Sequence, residues 1–165
     1  MRVLASIDFD NPVLREALDR IAARSAERAG LPIGLVTLVF NTAQMTAGSA
    51  GISGTWITVA EGTPVEWSFC ANAVVTGEPY VISDTADSEQ AGNPLVTQDG
   101  IGSYAGVPVI LAGQVVGAHC VIGTSAHQFT AEQLDELWVG AQQAAILLKE
   151  FSDLPSADAS VVATG

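Results

Sequence analysis

The stretch IGLVTLVF, residues 33–40, is almost wholly apolar and rich in β-branched side chains. A strand of that composition has no face to offer water, so it reads as a buried central strand. The elements around it run helix, two or three strands, helix, strand, loop, hairpin, helix. Strands and helices do not alternate regularly, which disfavours a doubly wound parallel sheet. The order fits an α+β domain: a central antiparallel β-sheet with the terminal helices packed on one face and a short helix and a loop over a pocket on the other.

Local punctuation supports that order. Asn11 is a good N-cap, Pro12 suits the first helical position, and Leu14, Ala17, Leu18, Ile21 and Ala22 recur at helical spacing before Gly30 and Pro32 end the helix. NTAQ offers a turn, Met45 to Ile52 a hairpin partner, and TWITVA a short strand. In TPVEWSFCANAVVTG, Thr63 to Glu66 forms a T-x-x-E capping box, Pro64 lies in the first turn and Gly77 is the stop. That reading puts Cys70 in mid-helix, on one stripe with Trp67, Ala71 and Val74. A short strand at YVISD leads into the polar loop TADSEQAGNPLVTQDG, long enough to suggest a functional role. SYAGVPVILAGQVVGAHCVIG reads as a hairpin turning near Ala112-Gly113. The last helix opens with a second capping box, Thr130 to Gln133, and carries the stripe Leu134, Leu137, Trp138, Ala141, Ala145 and Leu148. Residues 1–10 form a lead-in, 11–151 a single domain, and 152–165 a small polar tail expected to be disordered.

Charge excludes several functions. Of six basic residues, four are Arg15, Arg20, Arg24 and Arg28, and none lies between Arg28 and Lys149; the net charge is −12. Nucleic-acid binding needs a basic surface, and so does an anionic membrane surface. A phosphorylated ligand would have to rely on backbone N–H groups at a helix start. No apolar run reaches the ~18 residues of a membrane span. The N-terminus turns acidic too early for a signal peptide, and two cysteines without one point to a reducing cytoplasm.

The His119-Cys120 pair poses the chemical question. Neighbouring strand residues point to opposite faces, so the two cannot jointly chelate a metal. Val116, Ala118, Cys120 and Ile122 share one face, small and apolar like core against a helix. Val115, Gly117, His119 and Val121 share the other, and a glycine beside a polar ring resembles a pocket wall. Cys120 is therefore expected behind the sheet without a disulfide to Cys70, and His119 on the pocket side near Tyr104, where a hydrogen-bonded structural histidine, a ligand-touching residue and a haem or metal ligand all stay open. No C-x-x-C or H-x-x-x-H spacing supports zinc, and no catalytic Cys/His pair is in reach. Asp84, Asp87, Glu89 and Asp99 read as solvated loop carboxylates rather than catalysts.

The segments FCANAVVTGEPYVISD, NPLV, SYAGVPVILAGQVVGAHCVI and FTAEQLDELWVGAQQAA together resemble a GAF domain. The likeness is to the bacterial signalling group with an F-C helix, an N-P-L-V loop, a Y-A-G-x-P strand and a G-x-x-x-G-x-x-C-V-I strand. It runs from about Asn11 to Phe151. The resemblance implies five or six antiparallel strands, terminal helices that often dimerise, and a small-molecule pocket beneath the short helix and loop. Trp67, Cys70, Val74, Asp84, Asn93, Tyr104 and His119 are the candidate ligand-binding residues on that basis. Similar sequences often carry an arginine before N-P-L-V, where this chain has EQAG, so cyclic-nucleotide binding is not expected. The cysteine context of bilin attachment and the loop cysteines of free-methionine sulfoxide reductases are not found here.

The expectation is thus a stand-alone cytoplasmic sensory or regulatory domain, not an enzyme. It would bind an unidentified small molecule, form a homodimer through Val139, Ile146 and Leu147 of the last helix, and act on a signalling protein in trans. No metal is expected, and the residues name no cofactor. Two alternatives stand beside it: a thiol redox sensor using Cys70 and Cys120, and an unliganded dimeric protein-interaction module.

Overall fold

Ile33–Val39 forms β1, with six of its seven residues buried. In the computed structural model, which describes residues 4, 6–40, 43–51, 62–64, 67–98 and 100–152, this strand lies inside a six-stranded sheet of order β3-β2-β1-β6-β5-β4. The partners are β2 (Ala43–Ala50), β3 (Gly62–Pro64), β4 (Tyr80–Ile82), β5 (Ser103–Leu111) and β6 (Gln114–Gly123). Every pairing is antiparallel. β1 binds β2 on one side and β6 on the other, with Leu35 opposite Cys120 and Val36 opposite His119. The hairpin β5–β6 turns at Ala112-Gly113, whose φ angles of 53° and 76° are both left-handed, as a two-residue turn matched to strand twist requires.

Behind the sheet lie α1 (Pro12–Ala29) and the long terminal helix α4 (Ala131–Glu150). Asn11 caps α1 by accepting from the N–H groups of Val13 and Leu14, and Gly30 ends it in a left-handed conformation. Both halves of the Thr130–Gln133 capping box are formed. Leu14, Leu18, Leu137 and Leu148 are fully buried and pack with Val36, Leu38, Val107 and Val109 in the back core. Burying each such side chain contributes roughly 1.5–3 kcal/mol. α1 sits close because β1 and β2 present glycines to it: a Cβ at Gly34 would strike the Ala22 backbone, and one at Gly48 would strike Leu18.

In front lie α2 (Cys70–Thr76), a 3-10 turn at Thr85–Asp87 and α3 (Pro94–Thr97). Phe69, Cys70, Leu95, Tyr104 and Cys120 belong to this second core, with Leu35 and Ile122 from the sheet. The expected three-layer α+β architecture is therefore present. One boundary differs. The expected helix begins only at Cys70, and Gly62–Pro64 pairs with β2 as a strand. TWITVA, Glu66 and the tail from 153 lie outside the described residues.

Candidate functional site in the front layer

The front layer is built around two thiols. Cys70 is the first residue of α2, not a mid-helix residue, and its side chain turns down onto the sheet. Ser68 fixes that entry, accepting from the Ala71 N–H at 3.0 Å and donating to Gln44 Oε1 on β2. Cys120 rises from β6 beneath it. The two sulfurs are unbonded and 3.8 Å apart, both buried. Tyr104 of β5 donates its hydroxyl proton to Cys70 Sγ at 2.9 Å. The ring fits because Gly106, two residues on and opposite Cys120, has no side chain; a Cβ there would collide with the Tyr104 hydroxyl. Thr37 of β1 donates to the Ala118 carbonyl nearby at 3.2 Å.

These neighbours split the two thiols. Hydrogen bonding with Cys120 holds the Cys70 pKa below the ordinary thiol value, against the opposing effect of burial, and the Thr37 and Tyr104 hydroxyls add to the lowering. The same partnership pushes Cys120 well up, and burial pushes it further. Tyr104 is also raised, mainly by burial.

Cys120 therefore lies in front of the sheet and His119 behind it, the reverse of the sequence expectation. The two do point to opposite faces, but alternation alone does not say which face meets the helices. His119 is fully buried against α1 and α4. Its Nδ1 lies 2.9 Å from the Leu35 carbonyl, and its Nε2 lies 2.7 Å from Ser25 Oγ of α1. The neutral tautomer with a proton on Nδ1 satisfies both contacts, donating to the carbonyl and accepting from the hydroxyl. Burial lowers its pKa to about 4. Gly140 of α4 leaves the space for the ring, since a Cβ there would strike the imidazole. Gly117 leaves no room for a ligand; its bare backbone lies against Thr37 and Leu38 of β1. His119 is thus a bridge between sheet and helices, not a pocket residue.

The other candidates surround the thiols at different depths. Asn93 gathers the loop: its Oδ1 accepts from Leu95 N at 2.9 Å, and its Nδ2 donates to the Trp67 carbonyl at 3.1 Å and to Gln90 Oε1 at 2.9 Å. Gln90 in turn donates to the Tyr80 hydroxyl at 3.0 Å, and Tyr80 donates to Glu89 at 2.6 Å. Desolvation and Glu89 push Tyr80 up to about 12, and its hydrogen bond holds Glu89 below the ordinary carboxylate value. Trp67 is exposed at this rim, while Val74 is half-buried on α2. Asp84 is exposed and caps the 3-10 turn through Ala86 N at 3.1 Å. The structure thus joins Trp67 to Asn93 and Cys70 to Tyr104, and leaves Asp84 and His119 apart from both pairs.

Sequence reasoning missed Tyr80, Gln90, Ser25, Thr37 and Gly106. Ser25 follows Ile21 by four residues on the buried face of α1, and Gly140 interrupts the apolar face of α4. Those two small residues were the available signal for a polar ring between the helices.

The arrangement offers a buried dithiol with a phenol donor beneath a polar, acidic rim. Among the described residues no group of three His, Cys, Asp or Glu is placed to hold a metal ion. His127 lies 3.3 Å from Gln133 Oε1, away from the thiols.

The family model for the GAF domain matches residues 13–148. Solved structures share the fold at low identity. Type II free methionine-R-sulfoxide reductase from Thermoplasma acidophilum superposes with a TM-score of 0.70 at 16% identity, covering 88% of this chain and 98% of its own. The GAF domain of an Acinetobacter phosphoenolpyruvate-protein phosphotransferase gives 0.68 at 16% identity, over 95% and 90% of the two chains. The PixJ GAF domain of Thermosynechococcus elongatus, in a blue-light absorbing form, gives 0.66 at 11% identity, over 84% and 86%. No curated protein matches the chain by sequence.

Proposed function

The chain belongs to the GAF domain family, and from that premise we propose a sensory or regulatory domain whose front layer takes a small molecule and passes the change to a partner protein. The observation that carries this reading is the closure of the front loop. A few polar contacts centred on Asn93 hold it to the residues before α2, over a buried core that includes Phe69, Leu95, Tyr104 and Cys120. Contacts of that kind, each a net ~1 kcal/mol, are exchanged readily for contacts to a ligand.

The ligand class follows from charge. The central chain supplies no Lys or Arg, while Glu89 and the Asn93 and Gln90 amides stand at the rim. A phosphate brought there would lose water without a charged donor in return. The fitting ligand is neutral or carries an amine. The role is non-catalytic: Cys70 has a phenol and a thiol as neighbours, whereas both imidazoles are engaged elsewhere. Output in trans fits a homodimer through the helix layer, where α4 exposes Val139 and Ile146. No helix among the described residues is long and apolar enough to cross a membrane, and a reducing cytoplasm is the compartment we assign.

A thermal-shift screen of neutral and amine metabolites tests the reading. A ligand at about 100 times its Kd stabilises by about 2.7 kcal/mol, a rise of roughly 5–10 °C for a chain of this size. The expected result is a hit that Asn93→Ala weakens. A screen in which only phosphorylated compounds stabilise the protein would overturn the assignment.

A further inference from the structure

We propose that Cys70 and Cys120 are an oxidation site, a buried dithiol that a hydroperoxide converts to an intrachain disulfide across the front layer. The inference stands on the position of the two sulfurs and not on the small-molecule reading above.

Proximity comes first. The sulfurs are 3.8 Å apart and on facing elements, Cys70 at the start of α2 and Cys120 on β6. A disulfide needs about 2.05 Å, so closure requires a movement of somewhat under ~2 Å. α2 is suited to give it. It has seven residues, only Cys70 and Ala73 of them buried, and its first turn is held by the Ser68 hydroxyl through the Ala71 N–H rather than by a capping bond from Phe69. β6 cannot move as easily, being paired on both sides.

The surroundings then assign the roles. The Tyr104 hydroxyl donates to Cys70, so this sulfur has a neighbour that stabilises its thiolate. The depressed pKa of Cys70 and the raised pKa of Cys120 agree with that division. The Cys70 thiolate attacks one peroxide oxygen, the O–O bond breaks, and the departing oxygen takes a proton and leaves as water or an alcohol. Cys70 is now a sulfenic acid. The Cys120 sulfur attacks the Cys70 sulfur, its proton goes to the sulfenic oxygen, the S–O bond breaks and water leaves. Two thiols are oxidised by two electrons, and the peroxide is reduced by two.

The product changes the cluster around it. The disulfide sulfur is a poorer acceptor than a thiolate, so the buried Tyr104 hydroxyl loses its partner. Tyr104 packs against Phe69 and Tyr80, with ring centroids 5.2 and 5.9 Å away. Tyr80 carries the hydrogen bonds that reach Glu89 and Gln90. Oxidation therefore acts on the same loop contacts that close the front layer.

The test uses the full native chain and hydrogen peroxide. After treatment the protein is denatured, alkylated and weighed. We expect both cysteines to be lost to alkylation, both to return after reduction, and peptide mapping to show Cys70 joined to Cys120 within one chain. In Cys120→Ala, a sulfenic-acid trap should label Cys70. The wild-type mapping does not depend on that variant folding. Full alkylation after peroxide treatment, or cross-links only between chains, would overturn the proposal, as would a disulfide that forms only once the protein has been unfolded.

Discussion

Ser25 Oγ lies 2.7 Å from His119 Nε2, joining the first helix to the centre of the sheet inside an otherwise apolar layer. The imidazole is held neutral there, with its other nitrogen committed to the Leu35 carbonyl.

Stability should therefore fall with acid in a way that His119 governs. The folded pKa is about 4, against about 6.5 in the unfolded chain. A depressed folded pKa means that the stabilisation is fully present above pH ~6.5 and is lost as pH falls toward and through 4. The total is about 3 kcal/mol. Denaturant titrations at a series of pH values should show this slope in wild type and a shallower one in His119→Leu. Equal slopes in the two proteins would rule the histidine out as the source.

Gly140→Ala is expected to destabilise, although alanine is the better helix former by ~1 kcal/mol. The new methyl would strike the imidazole, and overpacking of this kind costs about 1–3 kcal/mol. A rise in the melting midpoint would show that the ring moves freely, contrary to its two hydrogen bonds.

These two residues also show where the sequence stopped being legible. Helix ends were readable because their signals are local: Asn11, Gly30 and the Thr130–Gln133 box all behave as their chemistry dictates. The helix start expected at Thr63 and Pro64 was misleading because pairing with β2, a contact remote in sequence, takes those two residues as strand. The faces of β6 were separated correctly from Gly117 onward but assigned in reverse, and Val116 joins the back core with Val121 because the pairing with β5 shifts register between Val109 and Ile110. Which face meets the helices is decided by Ser25 and Gly140, on elements about a hundred residues apart in the chain.

Tyr104→Phe should preserve the fold and slow oxidation of Cys70. The variant removes the donor at 2.9 Å while the ring and its aromatic neighbours stay. Losing one hydrogen bond to a charged group is worth about 1.5–3 kcal/mol, so the thiol pKa should rise and the peroxide rate fall several-fold. An unchanged rate would assign the hydroxyl a packing role only.

The proposed homodimer should form through the helix layer. Val139 and Ile146 are 45% and 58% exposed on α4, one helical turn apart twice over. Val139→Glu with Ile146→Glu is expected to give a monomer in light scattering at tens of micromolar, an order-of-magnitude concentration for a moderate interface. A dimer that survives both changes would place the interface elsewhere.

The front layer is proposed as a ligand site closed by the Asn93 contacts. Hydrogen exchange with and without a stabilising neutral or amine ligand tests it directly. The predicted result is added protection in residues 67–77 and 84–102, with little change in α1 and α4. Protection confined to the helix layer, with the front loop exchanging as before, would contradict it.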